Sequence, residues 1–96
     1  MARPSKLDED EVERELASCD GWCVIDGKLH RSFHFADFNE AFGFMTRSAL
    51  VAETLNHHPE WLNVYDRVVV DLVTHDAHGI TLLDFELARA MNRLAG

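Results

Sequence analysis

Basic residues are scarce in this sequence. Lysine and arginine number 9 against 17 aspartates and glutamates, for a formal charge of −8. A polyanion such as DNA or RNA is repelled on average by such a chain, and no basic stripe reverses this locally. Cysteine is scarcer still. Cys19 and Cys23 are spaced C-x3-C, neither the redox C-x-x-C nor half of a Cys-rich zinc site, and they read as reduced thiols of a cytoplasmic protein. No apolar run approaches membrane-spanning length, so no membrane partner is expected. Residues 1–6 lack an apolar core segment, so no signal peptide is expected. There is no internal repeat and no low-complexity tract. What is present is 96 residues, 47% of them apolar, which suits one folded domain and argues against disorder. A single core of this size gains from association with further copies.

Residues 1–7 are expected to form a loose tail and 8–96 a single domain. Asp8 to Ser18 is acidic and rich in helix formers, with Val12 and Leu16 one turn apart, which predicts a helix. Trp22 to Ile25 predicts a short strand. Asp26-Gly27 is the dipeptide that a type I′ hairpin turn prefers. Leu29, Arg31, Phe33 and Phe35 then alternate with His30, Ser32 and His34, as in a half-buried strand.

Asp37, with Glu40 three residues on, predicts a capped helix start. Phe38, Phe42, Met45, Ala49 and Ala52 form one stripe of that helix, expected to lie on the sheet. Phe44, Ser48, Val51 and Leu55 form a second row, expected to be covered by another helix or another subunit. Pro59 ends the helix near Asn56. Leu62 to Thr74 is strand-like, with Val64, Val68, Val70 and Leu72 placed on one face and a break expected near Asp66-Arg67. Thr81 caps a last helix reaching about Leu94. This order, with its hairpins, predicts an α+β fold with helices packed on an antiparallel sheet.

Six histidines stand in this short chain. His30 and His34 fall on the outward face of a strand, and solvent exposure accounts for them. Glu53 and His57 are four apart at a helix end, so Glu53 is expected to accept a hydrogen bond from His57 and fix its tautomer. His58 is expected to point elsewhere, and His75 stands at the far end of the strand segment. Two acid–base groups can then face one another across a cleft. Taken singly, each residue has a plainer reading. Glu53–His57 suits a surface pair, Asp84 a helical cap opposite Thr81, and Trp61 and Tyr65 a core.

Taken together they form a pattern: Glu53, three residues, His57-His58-Pro59, five residues, Tyr65, nine residues, His75, eight residues, Asp84. The flanks include Gly21-Trp22, Phe33-His34-Phe35-x-Asp37-Phe38, Ala41-Phe42-x-Phe44-Met45, Pro59-Glu60-Trp61, Asn63-Val64-Tyr65, Thr74-His75-Asp76 and Gly79-x-Thr81. From about Glu11 to Asn92 this resembles the pterin-4a-carbinolamine dehydratases.

The resemblance implies a four-stranded antiparallel sheet with three helices packed on one face, in dimers or tetramers. It implies dehydration of 4a-hydroxytetrahydropterins to quinonoid dihydropterins, which lets the tetrahydropterin of aromatic amino-acid hydroxylases be recycled. It also implies catalytic roles for His57, His58 and His75. His57 and His75 would be the acid–base pair and His58 more concerned with binding. Glu53 and Asp84 would orient the histidines and Trp61 would help wall the site. No cofactor or metal is required, since an imidazole with an ordinary pKa near ~6.5 can give or take a proton at neutral pH.

Two rival readings remain. His57-His58 with His75-x-x-His78 offers four imidazoles to a metal ion, although adjacent histidines rarely ligate one ion together. A non-catalytic interaction module on the same scaffold is the other, resembling the animal relatives that also serve as dimerisation cofactors for a homeodomain transcription factor.

Overall fold

Asp26 and Gly27 both sit at positive φ, 52° and 76°, as a type I′ turn requires. They join strand β1 (Cys23–Ile25) to strand β2 (Lys28–His34), paired antiparallel from Cys23 with His30 to Ile25 with Lys28. The computed structural model describes residues 3–96. Helix α1 (Glu9–Leu16) precedes the hairpin and helix α2 (Phe38–Leu55) follows it. A second hairpin joins β3 (Glu60–Val64) to β4 (Arg67–Leu72), and after a single 3-10 turn (His75–Ala77) the chain ends in α3 (Leu82–Ala95). The sheet order is β1-β2-β4-β3, antiparallel throughout.

The expected tail begins in the two residues outside the described range. Of the rest, Leu7 donates its N–H to the Ile80 carbonyl at 2.8 Å and packs against the core.

One face of the sheet is covered. Leu29, Phe33, Val68, Val70 and Leu72 are buried from the sheet side, and Phe44, Phe85, Leu87 and Met91 from the helices. Val12 and Leu16 of α1 pack against the same core, so all three helices lie on that face. Phe44 is wedged between Phe33 and Phe35, with ring centroids 4.6 and 5.0 Å away. Truncating it to alanine would cost about 3–5 kcal/mol.

Two expectations about faces need correction. The buried row of α2 is Ala41, Phe44, Ser48 and Ala52, with Val51 and Leu55 packed beside it, and the helix meets α3 more extensively than it meets the sheet. Phe38 and Phe42 are 48% and 55% exposed and lie against each other, ring centroids 5.7 Å apart and planes tilted by 36°. Small Ala41 and Ala52 are fully buried on this row, and Phe44 fills the space against Phe33 and Phe35. The row expected to be covered by another helix or another subunit is therefore the inner one, in the core that α2 shares with α3 and the sheet, and the row assigned to the sheet is mostly open. Likewise Val64 is exposed while Val68, Val70 and Leu72 are buried. Tyr65-Asp66 turns the chain, Val64 pairs with Arg67, and Val64 thus lies on the uncovered face. Tyr65 holds a φ of 50°, supported by the Asn63 side-chain amide, which donates to the carbonyls of Tyr65 and Arg67.

Asp37 caps α2 by accepting the N–H of Glu40 at 2.9 Å. At the other end Asn56 adopts the left-handed conformation, φ 49° and ψ 45°. Its N–H donates to Glu53 and that of His57 donates to Ala52 at 3.0 Å, the double bond of a Schellman ending. This ending decides where the two following histidines go.

Candidate active site

The left-handed step at Asn56 takes His57 off the helical path and turns it inward. Its side chain is 5% exposed, and Nε2 lies 2.5 Å from Oδ1 of Asp84, which is fully buried. An ionised carboxylate can only accept, so the imidazole donates. The second oxygen of Asp84 accepts two more bonds, from the Thr81 N–H at 2.9 Å and from the Thr74 hydroxyl at 2.8 Å. The Thr81 hydroxyl lies 2.8 Å from that of Thr74 and accepts the Leu83 N–H at 3.2 Å. Since Thr74 spends its proton on Asp84, Thr81 donates to Thr74, and every member of the cluster is satisfied. Asp84 is thus both the carboxylate that completes the capping box of α3, whose N-cap is Thr81, and the carboxylate behind His57.

The expected Glu53–His57 pair is not formed. Four-residue spacing brings two side chains together only while the backbone stays helical, and it leaves that path at Asn56. His58, continuing outward, brings Nε2 to 2.5 Å from Glu53 Oε1, so Glu53 backs the second histidine. His75 opens the 3-10 turn and is 78% exposed, with Nε2 3.1 Å from Glu60 Oε2. Glu60 in turn accepts from the Lys28 ammonium at 2.6 Å. That bond holds the Glu60 carboxyl below its ordinary value and the Lys28 ammonium above its own.

The short run 57–60 is therefore a hub. His57 reaches Asp84, which holds Thr74, the residue just before His75. Glu60, at the other end of the run, reaches His75 itself. His57, His58 and His75 each face a carboxylate through Nε2, which leaves Nδ1 as the nitrogen outside these pairs. Trp61 lies on β3 opposite Val70 and packs half-buried against the core. His30 pairs with Asp71 on the outer sheet face, and His34 is exposed.

Among the described residues no group of three or more His, Cys, Asp or Glu side chains is arranged to hold a metal ion. A cavity of about 500 Å³ opens between α1, the β1–β2 turn and residues 78–80, lined by Leu7, Val12, Leu16, Val24 and Ile80. It touches none of the carboxylate-backed histidines. The titratable groups mark the site better than the apolar hollow does.

The model of the family described as pterin 4 alpha carbinolamine dehydratase matches residues 5–94. The chain belongs to this family. Among its relatives, a protein of Solibacter usitatus named "Putative pterin-4-alpha-carbinolamine dehydratase" is 56% identical over 95% of this chain and 96% of its own. One of the same name from Brucella ovis is 52% identical over the full length of both. A crystal structure described as a transcriptional coactivator/pterin dehydratase from Brucella melitensis is 51% identical. It superposes with a TM-score of 0.93 over 96% of this chain and 100% of that one.

In the sequence of this family member Asp84 stands out, but neither Thr74 nor Thr81 as its supports, and neither Glu60 nor Lys28 as the groups behind His75. Thr81 was visible as a cap. Thr74, Glu60 and Lys28 carried no local signal, because their partners are 10, 15 and 32 residues away.

Proposed function

We propose that this protein dehydrates 4a-hydroxytetrahydropterins to quinonoid dihydropterins by histidine general acid–base catalysis. The product would feed the recycling of tetrahydropterin in the cytoplasm. The observation that carries the reading is the set of three imidazoles, each with Nε2 against a carboxylate, in a chain of this family.

The reaction breaks the C4a–O bond and makes C4a=N5. The hydroxyl leaves as water after receiving a proton, and N5 gives one up, so one donor and one acceptor suffice and nothing is oxidised. His57 and His75 fill these two roles. The carboxylates of Asp84 and Glu60 hold Nε2–H and orient the rings, so Nδ1 is the atom that exchanges a proton with the pterin. After turnover the donor is neutral and the acceptor charged, and exchange with water resets them. His58, oriented by Glu53, holds the substrate, and Trp61 walls the site.

Self-association into a dimer or tetramer belongs to the same proposal. The open Phe38–Phe42 row, with Leu50 65% exposed further along α2, supports it. The formal charge of −8 favours no direct nucleic-acid contact.

The second reading is an interaction module on the same scaffold. The same exposed row favours it, as does the coactivator description of the Brucella melitensis structure. Direct dehydration kinetics on chelator-treated protein separate the two. Acceleration over the spontaneous reaction is expected. No acceleration would favour the interaction module, and loss that only added zinc restores would favour a metal enzyme.

A further inference from the structure

Lys28 and Glu60 open their strands on opposite sides of β4. Their backbones are two strand spacings apart, roughly 10 Å, a gap that a lysine and a glutamate can bridge together. They do so across the uncovered face, where Glu60 stands directly opposite Asp71. Two carboxylates placed opposite repel, which would push the Glu60 side chain about unless a cation fixed it. Asp71 is engaged by His30 Nδ1 at 2.9 Å, and Lys28 Nζ sits 2.6 Å from Glu60 Oε1. The remaining oxygen, Oε2, meets His75 Nε2. Each Glu60 oxygen thus has one donor, and the carboxylate is pinned from the side away from the histidine.

As a source of stability this chain of contacts is poor. The side chains of Lys28, Glu60 and His75 are 35%, 42% and 78% exposed, and ion pairs so open to water contribute little. What it does provide is direction. The same design serves His57, where Asp84 is pinned by two threonines inside the core. At His75, out in solvent, a lysine takes the place of the Thr74 hydroxyl and the Thr81 N–H.

We propose that Glu60 is a positioning residue for proton transfer at His75, and that Lys28 holds it in place. The carboxylate accepts Nε2–H, so Nδ1 is left to meet the pterin. Glu60 keeps its charge throughout and takes no proton. The catalytic part rests on the dehydratase reading above, while the positioning of the ring does not.

The test uses the full chain and two readouts. The first is the tautomer of His75 by ¹⁵N NMR at a pH where the ring is neutral, and the second is kcat and KM for dehydration. The variants are Glu60→Ala, Lys28→Met and Lys28→Arg, with folding checked by circular dichroism and His34→Ala as control. In the wild type His75 is expected in the Nε2–H form alone, and Glu60→Ala is expected to admit the Nδ1–H form. That variant should lose about tenfold in kcat with KM within about twofold. Lys28→Met should show a smaller loss that Lys28→Arg restores. Tautomer and kcat both unchanged in Glu60→Ala overturn the proposal. A fall in kcat without a tautomer change overturns positioning as its cause, and a tautomer change without a fall in kcat overturns its use in catalysis. An inactive wild type overturns the dehydratase reading instead, and the tautomer spectrum still decides whether Glu60 orients the ring.

Discussion

Replacing Asp84 by alanine should be among the most damaging single changes available in this fold. The carboxylate is fully buried and accepts from His57, Thr74 and the Thr81 backbone. Removing it strands three donors away from water, each at about 1–3 kcal/mol if left unmet; one of them is the Thr81 N–H, so half of the α3 capping box goes with it while the N-cap Thr81 stays. Some donors will find water or each other, so about 3–5 kcal/mol is a fair sum, matching the cost of breaking a buried pair from one side. Domains of this size have roughly 5–15 kcal/mol in total. At about 4–8 °C per kcal/mol, the melting temperature should fall by at least ~12 °C. Asp84→Asn is the sharper companion. Its amide oxygen can keep the bonds from Thr81 and Thr74, but its NH2 then faces His57 Nε2, which must become an acceptor, so the imidazole is pushed towards the other tautomer. Asp84→Asn should keep more stability than alanine yet lose turnover nearly as fully. Urea titration followed by circular dichroism measures the first, and dehydration kinetics the second. A folded Asp84→Ala within about 1 kcal/mol of wild type would refute the reasoning, because it would mean the cluster carries no net free energy.

Phe42→Glu on the open row of α2 should shift the protein towards monomer in light scattering at micromolar concentration, while Ser32→Glu on the uncovered sheet face should not. Ellman's reagent should modify exposed Cys23 quickly and Cys19 only on unfolding, since burial both shields the Cys19 thiol and pushes its pKa up; two equally fast thiols would contradict the packing around Cys19. The stability difference between wild type and Lys28→Met, small because the pair is open to water, should depend on pH at both ends of the scale. The Glu60 carboxyl is lowered from 4.5 by its bond to Lys28, so its share is present above that value and fades as pH falls through the depressed one. The Lys28 ammonium is raised from 10.5 by the same bond, so its share is present below that value and fades as pH rises through the raised one. Denaturant titrations across that range check both limbs, and a difference that instead peaks at either extreme would contradict the pairing.

The sequence was most legible where a local rule governs the backbone. Asp26-Gly27 announced its turn, Thr81 with Asp84 its cap, and Pro59 the end of α2 near Asn56. It was less legible where two apolar faces compete. Phe38 and Phe42 look more core-like than Ala41 and Ser48, yet the row with the smaller residues is the buried one. Periodicity finds such stripes but does not rank them. The histidine pairings were hidden for a related reason. Spacing alone joined Glu53 to His57, and only the left-handed residue at Asn56 exchanged the partners. Lys28 and Glu60 meet across an intervening strand, so their pairing needed the order β1-β2-β4-β3 before it could be seen.

The central claim is that His57 and His75 move the two protons of the dehydration. It is tested most directly by kcat for His57→Ala, His75→Ala and the double variant, each confirmed folded, beside the exposed control His34→Ala. General acid–base catalysis is worth roughly 10²–10⁴-fold, and water or the surviving histidine can partly cover a single loss. Each single variant should therefore lose turnover, the double variant should lose more than either, and the control should match wild type. A folded double variant that turns over at the wild-type rate would contradict the account.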